Sequence, residues 1–231
     1  MKEEETKRNK KEENTDDNDS TKKLLIAVGV IIGVFALGFL VRFVYSPEND
    51  IVTIDEMHRR NIESGGDEIN YIHNGFSFIY MDDMWYTQVQ RHSDNTLMDI
   101  PLHFGPKDLE NVSISGVVSN DFKKSQIYIT FDPTDEKLNY VALAAAELSL
   151  NLAKGMGIYP IAACTKNETE TCNTRPIVDC DDEDKAVIFL KQIEGTGEII
   201  LDDNCVELKG KDWELVKATD RFLLQWYQVM K

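Results

Sequence analysis

One uninterrupted apolar run constrains this chain more than any other feature. After Lys22 and Lys23 come LLIAVGVIIGVFALGFLV, from Leu24 to Val41, without a charge or a proline. Arg42 interrupts, and Phe43, Val44 and Tyr45 complete the stretch. About 20 mainly apolar residues are enough for a helix to cross a bilayer. The run is apolar on every face, and nothing near it in the sequence offers to wrap it, so a buried core helix fits badly. A cleaved signal peptide would show a short basic leader, a shorter apolar stretch and a small-residue cleavage site. Here the leader is long and mostly acidic, and Tyr45-Ser46-Pro47 is a poor site. We therefore expect a retained signal anchor over residues 24–45, a single-pass transmembrane helix with the lipid bilayer as its first partner.

Basic residues near the ends of the span set its orientation. The leader carries Lys2, Lys7, Arg8, Lys10, Lys11, Lys22 and Lys23, whereas after Arg42 nothing basic follows until Arg59 and Arg60. Basic flanks favour the cytoplasmic side, and acidic residues count for little. The expectation is a protein of the cell membrane with its N-terminus cytoplasmic and its C-terminal domain extracytoplasmic. The leader, residues 1–23, has no large apolar residue between Met1 and the span, so it cannot offset chain entropy by burial and is expected to be a disordered cytoplasmic tail.

The rest divides into a charged stretch with few large apolar residues and a Gly65-Gly66 pair (residues 46–70, expected to be a stalk or linker with a short helix near Asp55 to Ile62) and one domain over residues 71–231. The whole chain has a formal net charge of −16, most of it beyond the span. That argues against nucleic acid as a partner, because phosphate binding needs basic patches.

Within residues 71–231 the periodicity is mixed. Phe76 to Tyr80 and Trp85 to Val89 suit a hairpin turning through residues 81–84. Val112 to Val118 alternates as a half-buried strand, and Ile127 to Phe131 is a further strand. A helix then runs to about Lys154, ended by Gly155 and Gly157, with Val141, Ala145, Leu148 and Leu152 on its apolar face. Val187 to Leu190, Glu198 to Leu201 and Cys205 to Leu208 read as strands, followed by a closing helix from about Asp212. The two helices share an offset pattern in which Leu143, Ala145, Glu147 and Leu150 match Val216, Ala218, Asp220 and Leu223. The fold class is α+β: a mostly antiparallel sheet with two amphipathic helices, preceded by the single transmembrane helix.

All four cysteines, Cys164, Cys172, Cys180 and Cys205, fall beyond the span. An even count outside the cytoplasm argues for disulfides. Local closure favours Cys164–Cys172 around the polar loop TKNETET, and Cys180–Cys205 across the strand region. Zinc is the rival, but the short C-x-x-C pairs it favours are absent. Asn111 and Asn167 head N-x-S/T triplets and are glycosylation candidates, which would make the protein a glycoprotein.

No nucleophile elbow, H-E-x-x-H helix, phosphate loop or dinucleotide fingerprint occurs. Catalytic residues remain unknown, and an enzyme is the less favoured reading. His92 and His103 lie in polar segments expected to be exposed. No cofactor is expected. Asp179, Asp181 and Asp182 around Cys180, with Asp202 and Asp203 before Cys205, would meet if those cysteines bond, and such carboxylates suit calcium. A solvated acidic turn is the preferred reading of them, and the EF-hand pattern fails because Asp184 stands where its glycine is required. On the span, Gly29, Gly33 and Ala36 form a small-residue stripe suited to self-association or to packing on another membrane protein.

The segment ALAAAELSLNLAKGMGIYPIAACTKNETETCNTRPIVDC, followed by NCVELKGKDWELVKATDRFLLQW, resembles uncharacterised single-pass membrane proteins of archaea that carry a cysteine-containing outer domain. The resemblance covers roughly the last hundred residues. It implies an anchor and paired cysteines but no activity, and no functional residue can be carried over from it. The reading reached from sequence is a membrane-anchored protein whose extracytoplasmic domain acts as an interaction or envelope-associated module. The alternative is an extracytoplasmic enzyme or cation-dependent binding protein.

Overall fold

The computed structural model describes residues 2–45, 52–122 and 126–231. The chain divides into two units between residues 52 and 53, and among the described residues the first holds the helix α1 (Lys2–Tyr45). Its segment Thr21–Arg42 has a mean hydropathy of 3.0 over 22 residues, and none of it is buried against protein. At 1.5 Å per residue this segment is about 33 Å long, enough to cross the hydrocarbon core of a bilayer. The helix also takes in the leader that we expected to be disordered. Glu, Lys and Arg are good helix formers, and the leader continues a helix already nucleated by the apolar run. Gly29, Gly33 and Ala36 fall on one face of α1 by their spacing, and a Cβ added at either glycine would meet nothing within 4 Å.

The second unit begins at Thr53, so the expected boundary at residue 71 is corrected; residues 46–51 of the expected stalk lie outside the described residues. Helix α2 (Ile54–Ser64) opens the unit. The Thr53 hydroxyl accepts the Glu56 N–H at 3.3 Å, capping the first turn. The helix stops at Gly65, whose φ of +76° is left-handed, and Gly66 N–H returns to the Asn61 carbonyl at 3.1 Å. What docks α2 is polar. Buried Asn61 donates to the Ser77 hydroxyl at 2.8 Å and to the carbonyls of Tyr71 and Phe78 at 3.2 and 3.3 Å. The short helix expected near Asp55 to Ile62 is therefore present, but it is docked on the sheet by polar groups and is not part of a free linker.

Four strands follow as an antiparallel sheet in sequence order: β1 (Tyr71–His73), β2 (Phe76–Met81), β3 (Met84–Gln90) and β4 (Leu97–Leu102). The β2–β3 hairpin turns on Asp82 and Asp83, both at positive φ (52° and 60°), a conformation that Asp tolerates better than most residues. Tyr80 pairs with Trp85, and Trp85 with Leu102.

The second sheet has six strands in the order β5-β9-β10-β8-β6-β7. They are β5 (Ser113–Val118), β6 (Gln126–Phe131), β7 (Tyr159–Ala162), β8 (Val187–Gln192), β9 (Glu198–Asp203) and β10 (Cys205–Gly210). Only β9 and β10 pair antiparallel; β5–β9, β10–β8, β8–β6 and β6–β7 are parallel. The α+β class holds, but this sheet is mixed where a mostly antiparallel one was expected. β6 reaches β7 through α3 (Leu138–Leu150), a crossover of the kind that parallel neighbours require. A wider π-type turn (Asn151–Met156) extends α3 and ends at Gly157, φ +71°.

Helix α4 (Trp213–Trp226) packs on α3 and on β10. One continuous core joins Ile188, Leu190, Val206 and Leu208 of the mixed sheet, Leu148 and Leu152 of the α3 segment, Leu215 and Leu223 of α4, and Phe78, Ile100 and Leu102 of the antiparallel sheet. Two disulfides close as expected from local spacing. Cys164–Cys172 has Cα atoms 6.0 Å apart, and Cys180–Cys205 has them 5.4 Å apart.

Candidate functional site

Where β4 ends, His103 and Phe104 leave the sheet and meet both long helices. His103 Nδ1 hydrogen-bonds Glu147 Oε1 of α3. The Phe104 N–H donates to Asp220 Oδ2 of α4 at 2.8 Å. Gly105 allows the turn that follows, because a Cβ there would run into the Tyr71 hydroxyl and would sit 3.2 Å from the Trp85 indole. His103 was expected to be exposed; its side chain is 20% exposed and that of Glu147 is 8%, while Asp220 is fully buried.

Glu147 and Asp220 are neighbours in the core, and each perturbs the titration of the other. Glu147 Oε2 and Asp220 Oδ1 are both buried and meet no hydrogen-bond partner. Burial pushes Glu147 up to about 7. Asp220 is raised well above the usual carboxylate range, first by burial and then by the charge of Glu147 beside it. Both shifts favour the protonated acid, and two adjacent buried carboxyls resist carrying charge together. When Glu147 is ionised it only accepts, so it takes the His103 Nδ1–H and leaves Nε2 as the other imidazole nitrogen.

His103 lines a cleft of about 630 Å³ together with Asp82, Asp83, Met84, Phe104, Trp213 and Lys217. Trp213 packs by ring contacts at 5.7 Å on His103 and on Phe104 and at 5.3 Å on Tyr140, yet it remains 45% exposed. Buried acids without a cation are energetically unfavourable and concentrate at functional sites. The arrangement can hold a proton behind a cleft wall and orient one imidazole nitrogen.

A second constellation sits under α2. His58 Nδ1 lies 2.9 Å from Ser77 Oγ, and its Nε2 lies 3.4 Å from Asp99 Oδ1 without forming a hydrogen bond. The residue types are those of a hydrolytic triad. However, Ser77 is 5% exposed, and its oxygen is already engaged by Asn61. Burial lowers the His58 pKa against the pull of Asp99 and Asp55. The geometry is that of a buried clasp between helix and sheet.

The residues singled out by sequence are placed as follows. Cys180 and Cys205 come together, but the surrounding carboxylates do not converge: Asp182 pairs with Lys185 and accepts the Asp179 N–H, and Asp179 accepts the Asp181 N–H. Asp202 and Asp203 close β9. Among the described residues, no three His, Cys, Asp or Glu side chains are grouped to hold a metal. Asn111 and Asn167 are exposed. Sequence reasoning did not single out Glu147 and Asp220 as a site, although the offset match between the helices aligned them. The available signal was an acid within the apolar face of each helix. Compared with known protein families, with curated proteins and with solved structures, the chain matches none.

Proposed function

We propose that this is a single-pass membrane protein whose second unit lies outside the cytoplasm and serves as an interaction module, with the His103 cleft as its contact face. The observation that carries this reading is the segment Thr21–Arg42, apolar all round and unburied, on a chain whose other unit is compact and closed by two disulfides. The lysines and arginine on the leader's side of the span support a cytoplasmic N-terminus, and the disulfides support an oxidising location for the compact unit. Exposed Asn111 and Asn167 would be open to glycosylation there. Gly29, Gly33 and Ala36 would let the span pack on a second copy or another membrane protein. Protease added to intact cells should remove the compact unit and spare the leader. A protected compact unit would reverse the topology.

A second reading, an extracytoplasmic enzyme, is favoured by one observation, the Glu147–Asp220 pair behind His103. A carboxylate-oriented imidazole facing a cleft is suited to proton transfer.

A further inference from the structure

Charge decides what the His103 cleft can receive. Asp82 and Asp83 sit exposed at the tip of the β2–β3 hairpin, and among the described residues no ion pair involves either of them; Asp83 accepts only the Tyr80 hydroxyl, at 3.3 Å. Lys217 is the cation of the cleft, but its Nζ lies 2.6 Å from Glu214 Oε1, which neutralises it. It also lies over the Phe104 ring at 5.4 Å and occupies that face. The acids behind His103 add no positive charge. What remains open is a pair of carboxylates and the exposed indole of Trp213, on a chain of net charge −16. Carboxylates and a part-exposed indole ring both attract cations, and the field of an acidic protein concentrates them.

We propose that this cleft receives a basic segment of a partner protein, with an arginine or lysine side chain seated between the Asp82–Asp83 carboxylates and the Trp213 indole. The proposal rests on the reading of the second unit as an interaction module and names the chemistry of its partner. Arginine suits the site better than lysine, because its planar guanidinium can stack on the indole while donating to a carboxylate.

The test uses the full-length protein in nanodiscs of zwitterionic lipid, so that no lipid charge competes. The probe is a short acetylated glycine peptide carrying two arginines, beside the same peptide with citrulline at both positions. Binding is followed by tryptophan fluorescence and calorimetry. We expect the arginine peptide to bind, the citrulline peptide to fail, and affinity to fall as salt is raised. The double change Asp82→Asn and Asp83→Asn should weaken binding by roughly three- to tenfold, and Trp213→Ala by about threefold. Asp181→Asn with Asp184→Asn, on the other acidic turn, should leave it unchanged. If the hairpin variant binds as well as the parent, or the distant variant loses as much, the interaction is only diffuse attraction to an acidic protein and the proposal is wrong. If spermidine binds in a manner dependent on Asp82 and Asp83 and more tightly than the peptide, the occupant is a small polyamine and the partner assignment falls. The protease experiment above reads topology independently, so failure of one does not imitate failure of the other.

Discussion

The buried acid pair makes the stability of the second unit fall as pH rises through neutrality. Unfolded, Glu147 titrates near its ordinary value of 4.5; folded, it titrates near 7. Below 4.5 both states hold the proton and nothing depends on pH. Between 4.5 and about 7 the folded state keeps a proton that the unfolded state has released, so each pH step favours unfolding by about 1.4 kcal/mol. Over that interval the loss is roughly 3 kcal/mol, and it levels off above about 7. The Glu147 side chain is 8% exposed, so little solvent screening reduces this figure. Asp220 is raised in the same direction and extends the decline. Carboxylates held low by cations act in the opposite sense at acid pH, Asp182 beside Lys185 among them. The diagnostic quantity is therefore the difference between parent and variant. Asp220→Asn keeps an acceptor for the Phe104 N–H and a donor toward Glu147, and it removes the second charge. The variant should match the parent near pH 5 and exceed it by roughly 1–3 kcal/mol at pH 8.5. Asp220→Ala, which strips the acceptor and opens a void, should be destabilised at every pH by about 2–4 kcal/mol. The assay is denaturant unfolding of the full chain in mild detergent across this range. A parent–Asn difference that stays constant with pH would refute the assignment of a shared, elevated titration to this pair.

Removing the α2 clasp by Asn61→Ala should cost about 2–3 kcal/mol, because the Tyr71 and Phe78 carbonyls lose a donor; a thermal shift indistinguishable from the parent would show that α2 is only loosely docked. Loss of Cys180–Cys205, 25 residues apart, should destabilise by roughly 3–4 kcal/mol, against roughly 2–3 kcal/mol for Cys164–Cys172, 8 residues apart, since the longer loop gains more freedom. Denaturation of Ser-substituted pairs checks the order, and the reverse order would contradict the chain-entropy account. Gly105→Ala should displace the His103 loop and lower stability by about 1–3 kcal/mol; an unchanged melting temperature and an unchanged pH profile would show that the loop accommodates a methyl group freely.

Much of the fold can be read locally in the sequence. The span, the β2–β3 hairpin and both cysteine pairs follow from runs, turns and spacings a few residues long. Strand direction does not. Val187-Ile188-Phe189-Leu190 is apolar on both faces, which suits a buried strand, but only the α3 crossover and the place of β10 between β8 and β9 make its neighbours parallel. Helix α2 was expected as a short helix near Asp55 to Ile62, but not its docking, because His58 and Asn61 hold it by buried hydrogen bonds that apolar patterning does not reveal. The site was half visible. An acid on the apolar face of each helix aligned Glu147 with Asp220, but the alignment pointed to repetition of a pattern rather than contact, and His103 arrives from a loop whose destination only the tertiary structure fixes.

The strand order of the mixed sheet also bears on how the chain assembles as it is made. β5 and β6 are synthesised first, but they do not pair with each other; β5 waits for β9, and β6 meets β7 after the α3 crossover while its other edge waits for β8. β10, at the heart of the sheet, is its last strand in sequence. The antiparallel sheet, by contrast, is built from neighbours in sequence and can form as it emerges. A chain delivered from its N-terminus therefore presents a closed hairpin sheet beside an unpaired β5 and a β6–β7 pair with one open edge, until β8, β9 and β10 have appeared.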